Sequence, residues 1–323
     1  MRGIDTIGTP ALWAVSIGVF CVLVALDFVL TRRPHEVRMK EALGWSAFYI
    51  ALPLAFGGYI WWQHGGGLGL EYLTGYLVEK SLSVDNLFVF MLLLTAFAVP
   101  RELQQRVLLY GIVGALVLRG IFIAVGAAAL SAFDWTFLVF GLILFASSIK
   151  ILAGASGGLE PDVDVDRMRS VRFVRRMVPI TPDYAGPEFF GRVDGKRALT
   201  PFALVVIAVL FTDVVFAVDS VPAVYGITSD PYLVFVTNAF ALLGLRALYF
   251  VVQGALRKLV HLAYGLGLVL AFIAVKLGLH WAHLNWPSVP EIPTLASLGV
   301  IVVILTVTTA TSLVSTRRTS EAR

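Results

Sequence analysis

Phe211-Thr-Asp213-Val-Val-Phe-Ala-Val-Asp219-Ser220-Val-Pro222 sets two carboxylates six residues apart in an apolar run long enough to cross a bilayer. Glu79-Lys80-Ser-Leu-Ser-Val-Asp85-Asn86 repeats the pattern in a second run. A charged side chain at the centre of a membrane costs roughly 2.5–3.5 kcal/mol on insertion scales, so four of them call for a compensating partner. A cation that needs oxygen ligands is the simplest one. The pattern points to ion handling inside a membrane.

The rest of the chain has the same character. Of 323 residues, 58% are hydrophobic and 14% charged, and mean hydropathy is +0.85, far from a soluble domain. Runs of about 20 apolar residues can each span a hydrocarbon core of about 30 Å. Nine are read, at about 10–31, 44–62, 69–98, 107–130, 135–153, 201–221, 232–252, 259–279 and 294–314. The expected class is an all-α polytopic membrane protein of the cell membrane. It is read as one membrane domain over 1–323 with a cytoplasmic loop at 154–200. The first run does not read as a removed signal: Arg2 is balanced by Asp5, the apolar stretch is full length, and no small-residue cleavage pattern follows. Cys21, the single cysteine, lies in that run and allows no disulfide within the chain.

Basic residues set the orientation. Segments after runs 1, 3, 5, 7 and 9 hold 19 of the 25 Lys and Arg, among them Arg32, Arg33, Arg101, Arg257 and Arg317; the opposite segments hold Arg2 alone. Lys80, Arg119, Lys150, Arg246 and Lys276 fall within runs. The positive-inside rule then puts the N-terminus outside and the C-terminus in the cytoplasm. The asymmetry accounts for the basic balance, so no nucleic-acid partner is inferred.

The repetition extends beyond the acids. Leu118-Arg119-Gly120-Ile121-Phe122 matches Leu245-Arg246-Ala247-Leu248-Tyr249, and Phe140-Gly141-Leu142 with Lys150 echoes Tyr264-Gly265-Leu266 with Lys276. Runs 3–5 and 6–8 therefore read as two three-helix units. They enter from opposite sides, as inverted repeats with a midplane site between them do in secondary transporters. Inversion would place Lys150 and Lys276 at opposite faces, where snorkelling to an interface suffices to explain them.

Residues six apart on a helix differ by about 240° and about 9 Å, so a straight helix does not aim both acids at one ion. Either the acids form two levels along a path, or the helices break between them. Pro222 is a breaker that would free the Val218 carbonyl, while Ser81, Ser83 and Asn86 would satisfy an unwound segment in the other copy. A set of buried ion pairs needs no ion: Arg119, Arg246 and Lys80 against the four acids. The two arginines suit this structural role, since guanidinium only donates. Lys80 would be a counter-charge displaced by the ion, or point elsewhere.

Carboxylate, carbonyl and amide oxygens suit hard cations such as Mg²⁺, Ca²⁺ and Mn²⁺. The histidines at 35, 64, 261, 280 and 283 lie at run ends or in loops and read as interfacial. In the loop, residues 166–177 read as a basic amphipathic helix at the lipid surface. Asp162, Asp164 and Asp166 start like a calcium loop, but Phe173 stands where the closing glutamate belongs. No phosphate loop, nucleophile elbow or zinc-protease pattern occurs, so no enzyme and no resident cofactor is expected.

Glu79–Asn86, the run from Phe211 to Gly226, and Asn238-Ala-Phe-Ala-Leu-Leu-Gly-Leu-Arg-Ala-Leu-Tyr-Phe250 resemble the TerC family of integral membrane proteins. Phe173-Val-Arg-Arg and Pro179-Ile-Thr-Pro-Asp-Tyr184 fit it too, so the resemblance covers nearly the whole chain. It implies nine spans and a role in metal-ion homeostasis, with manganese efflux as the activity and Mn²⁺ or a similar hard cation as cargo. On the family pattern Glu79, Asp85, Asp213 and Asp219 are the ion ligands, with Asn86 beside them. Three functions follow for comparison: a secondary exporter of Mn²⁺ that exchanges it for protons, a passive cation channel, and a membrane assembly factor. Sequence leaves the coupling ion, the direction and the oligomeric state open.

Overall fold

A computed structural model describes residues 6–30, 39–156, 180–181, 184, 186–193, 195–252 and 261–321, with the side chains of 30, 85, 156, 252 and 316–321 outside the description. The basic stretch 166–177, the aspartates at 162, 164 and 166, and the basic residues at 32, 33, 257 and 258 also lie outside the described residues. The described elements are α1 (Pro10–Leu30), α2 (Met39–His64), α3 (Gly66–Ala96), α4 (Arg101–Ala132) and α5 (Thr136–Ser156). A hairpin, β1 (Phe190–Val193) and β2 (Lys196–Leu199), precedes α6 (Pro201–Tyr225), α7 (Pro231–Leu243), α8 (Leu245–Val252), α9 (Leu262–Asn285) and α10 (Thr294–Glu321). The chain is an all-α polytopic membrane protein.

Local chemistry starts the key helices. Thr200 caps α6 by accepting from the Ala203 amide at 3.2 Å, and Pro201 takes the first turn, where a missing N–H is harmless. Asp230 and Pro231 do the same for α7, with Tyr232 N donating to Asp230 at 2.8 Å. Asp230 also accepts from Thr6 Oγ1 at 2.6 Å and Ile7 N at 2.8 Å, which staples the start of the chain to α7.

Among the described residues, α1, α2, α4, α5, α6, α9 and α10 are long and apolar enough to cross a membrane, and α7 with α8 makes an eighth candidate bent by 41° at Gly244. The sequence reading expected nine. Its third run is α3, 31 residues long, in which every 18-residue window holds at least three of Glu71, Glu79, Lys80 and Asp85. Those charges keep α3 from passing as an apolar span, and its position offsets them: it packs against α2, α6, α7 and α10.

The lipid-facing surface is read from the large apolar residues left exposed, such as Val15, Val22 and Val29 on α1, Val117, Ile121 and Val125 on α4, and Val303 and Val307 on α10. Inside, one core cluster joins Leu87 and Phe90 to Leu108, Ile112, Phe202 and Val209; another joins Tyr72 to Tyr232 and Phe240. Each helix of the first expected unit touches its expected counterpart: α3 meets α6, α4 meets α7, and α5 meets α9. The crossed pairs α4–α6 and α3–α7 also pack together.

Candidate functional site

Both acidic motifs lie on continuous helix. Of the two arrangements expected, a break between the acids is not the one found, because α3 runs unbroken through Glu79–Asn86 and α6 through Asp213–Ser220. Pro222 falls three residues before the end of α6, where few ladder bonds remain to be lost. The interruption lies instead at Gly244.

Continuous helix sorts the motif residues by face. On α3, positions 79, 83 and 86 follow the i, i+4, i+7 spacing that keeps them on one side. On α6, positions 213, 217 and 220 do the same. Glu79 and Asp213 meet at Arg119, which reaches in from α4. Arg119 Nη2 donates to Asp213 Oδ1 at 3.2 Å and Nε to Oδ2 at 3.4 Å, a forked grip that fits a guanidinium to a carboxylate. Nη1 donates to Glu79 Oε1 and, at 2.9 Å, to Asn238 Oδ1 on α7. Asn238 is turned for this by its own amide, which donates to Val234 O at 3.0 Å. Four helices thus converge on one guanidinium. Glu79 and Asp213 are 0% exposed and Arg119 1%. With all three ionised the group carries one net negative charge, in surroundings where a lone charge is expensive.

The grip is incomplete. Glu79 Oε2 is buried without a hydrogen-bond partner in the protein, as are Ser83 Oγ and Asn86 Nδ2 on the same face of α3 and Ser220 Oγ on α6. Unpaired polar atoms at such depth mark a functional position or a strain more often than chance. A free carboxylate oxygen and hydroxyl oxygens offer hard ligands to a cation that approaches along this face.

Asp219 turns toward α5 and accepts from Ser147 Oγ at 2.5 Å. The side chain of Asp85 lies outside the described residues. Among the described residues no three His, Cys, Asp or Glu side chains gather closely enough to hold a metal. Among the described residues Arg246 takes none of Glu79, Asp213 and Asp219. Its Nη2 donates to Asp27 Oδ1 at 2.8 Å and its Nη1 to Gln105 Oε1 at 3.1 Å, tying α8 to α1 and α4. Among the described residues Lys80 also pairs with no acid, and it donates to Ala241 O at 3.4 Å.

Sequence reasoning did not single out Asp27, Asn238, Gln105 or Ser147. Asp27 gave the same signal as the four acids, a carboxylate in an apolar run, but has no repeated counterpart. Asn238, Gln105 and Ser147 carry no charge, and nothing in one sequence separates them from other polar residues in helices.

Residues 65–320 match the model of the integral membrane protein TerC family. A membrane protein of Myxococcus xanthus, STKORF319, is 41% identical over 280 residues, covering 86% of each chain. Alx of Salmonella typhi, named for a proposed role as a membrane-bound redox modulator, is 40% identical over 84% of this chain and 87% of its own. A Mycobacterium bovis membrane protein, Mb2742, is 42% identical over 84% of this chain and 69% of its own. No solved structure matches.

Proposed function

The chain belongs to the TerC family of integral membrane proteins, and from that premise we propose that it exports a hard divalent cation, Mn²⁺, across the cell membrane in exchange for protons. The observation that carries this reading is the Arg119 group: two buried carboxylates on facing helices, held by one guanidinium, with a carboxylate oxygen left free. A purely structural ion pair is best when every lone pair is satisfied, and this one is not. All-oxygen ligands suit Mn²⁺ over softer metals by type, although intrinsic affinity runs toward Cu²⁺ and Zn²⁺, so geometry must select. In this reading Asp85 and Asn86 on α3 and Asp219 on α6 belong to a second level one to two turns along the path from Glu79 and Asp213, which Asp219 joins by leaving Ser147 on α5.

The packing of α3 on α6, α4 on α7 and α5 on α9 supports the inverted-repeat reading of the sequence. The N-terminus is placed outside on the charge distribution of the loops. Clustered carboxylates suit proton exchange, because a departing cation leaves negative charge for protons to neutralise. The Alx relatives are named for redox modulation; in this chain the single thiol, Cys21, allows no dithiol pair within the chain. A passive channel is disfavoured because paired carboxylates such as Glu79 and Asp213 would hold a divalent ion too firmly for rapid release.

Asp219→Asn and Asp85→Asn test the reading in cells that lack their own manganese exporters. The expected result is loss of manganese tolerance and raised cell manganese, with the variant present in the membrane at wild-type level. Wild-type tolerance in both would remove the ligand assignment, and unchanged cell manganese with and without the protein would remove the transport reading.

A further inference from the structure

A helix that stops inside a membrane leaves its last carbonyls without amide partners and concentrates the negative end of its dipole there. α7 stops at Leu243, and α8 leaves at 41° after the single residue Gly244. The residues of this end are buried: Phe240 is 5% exposed, Ala241 0%, Leu242 and Leu243 1%. Water has little access, so the carbonyls must be met from within the protein.

Lys80 meets them. Its ammonium donates to Ala241 O at 3.4 Å and lies 2.9 Å from where a Cβ on Gly244 would stand. Gly244 has φ −78°, which any residue adopts, so its small size matters for space rather than for backbone freedom. Tyr49 Cβ, at 3.1 Å from the same point, closes the other side. The ammonium therefore occupies a fitted position against the open end of α7. Among the described residues Lys80 makes no ion pair, although it follows Glu79 directly in the chain.

Ends of half-helices at membrane depth are cation sites in coupled transporters, where carbonyl oxygens hold a monovalent ion. We propose that the broken end of α7 is such a monovalent-cation site, and that the ammonium of Lys80 is a tethered cation occupying it. The protein then carries in its own chain the ion that a sodium-dependent carrier must take from solution, and it works without one. The proposal concerns this second site and does not depend on the identity of the cargo held at Glu79 and Asp213. Because Lys80 and Glu79 are neighbours on α3, a movement of that turn toward or away from Arg119 also moves the ammonium against α7.

The test is thermal unfolding of the purified protein in choline chloride against sodium or potassium chloride at equal ionic strength. Wild type should melt at one temperature in all three salts. K80A should melt lower in choline and recover, saturably, with sodium or potassium, because a ligand that binds only the folded state raises its midpoint. G244A should destabilise the wild-type protein and do so less in the K80A background, because the side chain it meets is gone. Should K80A not accumulate, K80M keeps the stem, drops the charge and carries the same two comparisons. A charge-deleted variant indifferent to alkali cations, or strictly additive losses in the pair, overturns the proposal.

Discussion

Arg119 decides the state of the two acids around it. Removing one partner of a buried ion pair costs about 3–5 kcal/mol, because the other charge is left without compensation. Arg119→Met would strand Glu79 and Asp213 together, and the variant should fall sharply in yield and unfolding temperature. Adding Glu79→Gln and Asp213→Asn removes the stranded charges and should restore most of the midpoint while cation transport stays absent. Size-exclusion profiles and melting curves of the two variants check this; equal losses in both would show that the arginine acts by packing alone. The sequence named these three residues from charge in apolar runs and from the repeated spacing. It did not tell which carboxylate the arginine would take, because that depends on the rotation of α3, α4 and α6 about their axes. Nor did it reveal Asn238, whose role is set by a neighbour 119 positions away.

At the level of elements, α4 reaches α6 through glycines. A Cβ on Gly114 would stand 2.1 Å from Leu210 Cδ2, and one on Gly111 2.7 Å from Val209 Cγ1. Arg119 follows little more than a turn later, so this close approach sets how far its side chain reaches over Asp213. Small residues at such contacts let helix backbones approach in lipid, where no hydrophobic force drives them together. Gly114→Val should cost about 1–3 kcal/mol by overpacking and reduce transport by pushing Arg119 out of reach. Gly299→Ala on α10, where a Cβ meets nothing within 4 Å, should leave the midpoint within about 0.5 kcal/mol and transport unchanged. A fall of similar size in both would mean that the effect lies in the helix and not in the contact. Apolar length made most of the helices legible, and Thr200-Pro201 and Asp230-Pro231 mark two of their starts. The break at Gly244 was not legible: Leu-Leu-Gly-Leu-Arg reads as continuous helix, whereas Pro222, the stronger breaker by sequence, falls where the helix is already ending.

For the whole molecule, exporting a divalent ion from a negative interior moves two charges uphill, about 4.6 kcal/mol per 100 mV. Vesicles with a clamped potential should show manganese flux that slows when the pH gradient is abolished and reverses when it is inverted; flux indifferent to the gradient at fixed potential would exclude protons as the coupling ion. Two equivalent halves exchanging arrangements would give such a carrier two resting states of equal energy. In the export reading the pair between Arg246 and Asp27 breaks that equality, because α1 belongs to neither half, whereas among the described residues the partners of Arg119 all lie within the halves. Each 1.4 kcal/mol of difference is a tenfold preference, so in such a carrier a single contact of this kind would set which mouth stands open when it is empty. Replacing Asp27→Asn together with Arg246→Gln removes the strut without stranding a charge. The empty protein should then divide its time more evenly, and thiol reagents applied from either side should label reporter cysteines in the two mouths at rates that converge.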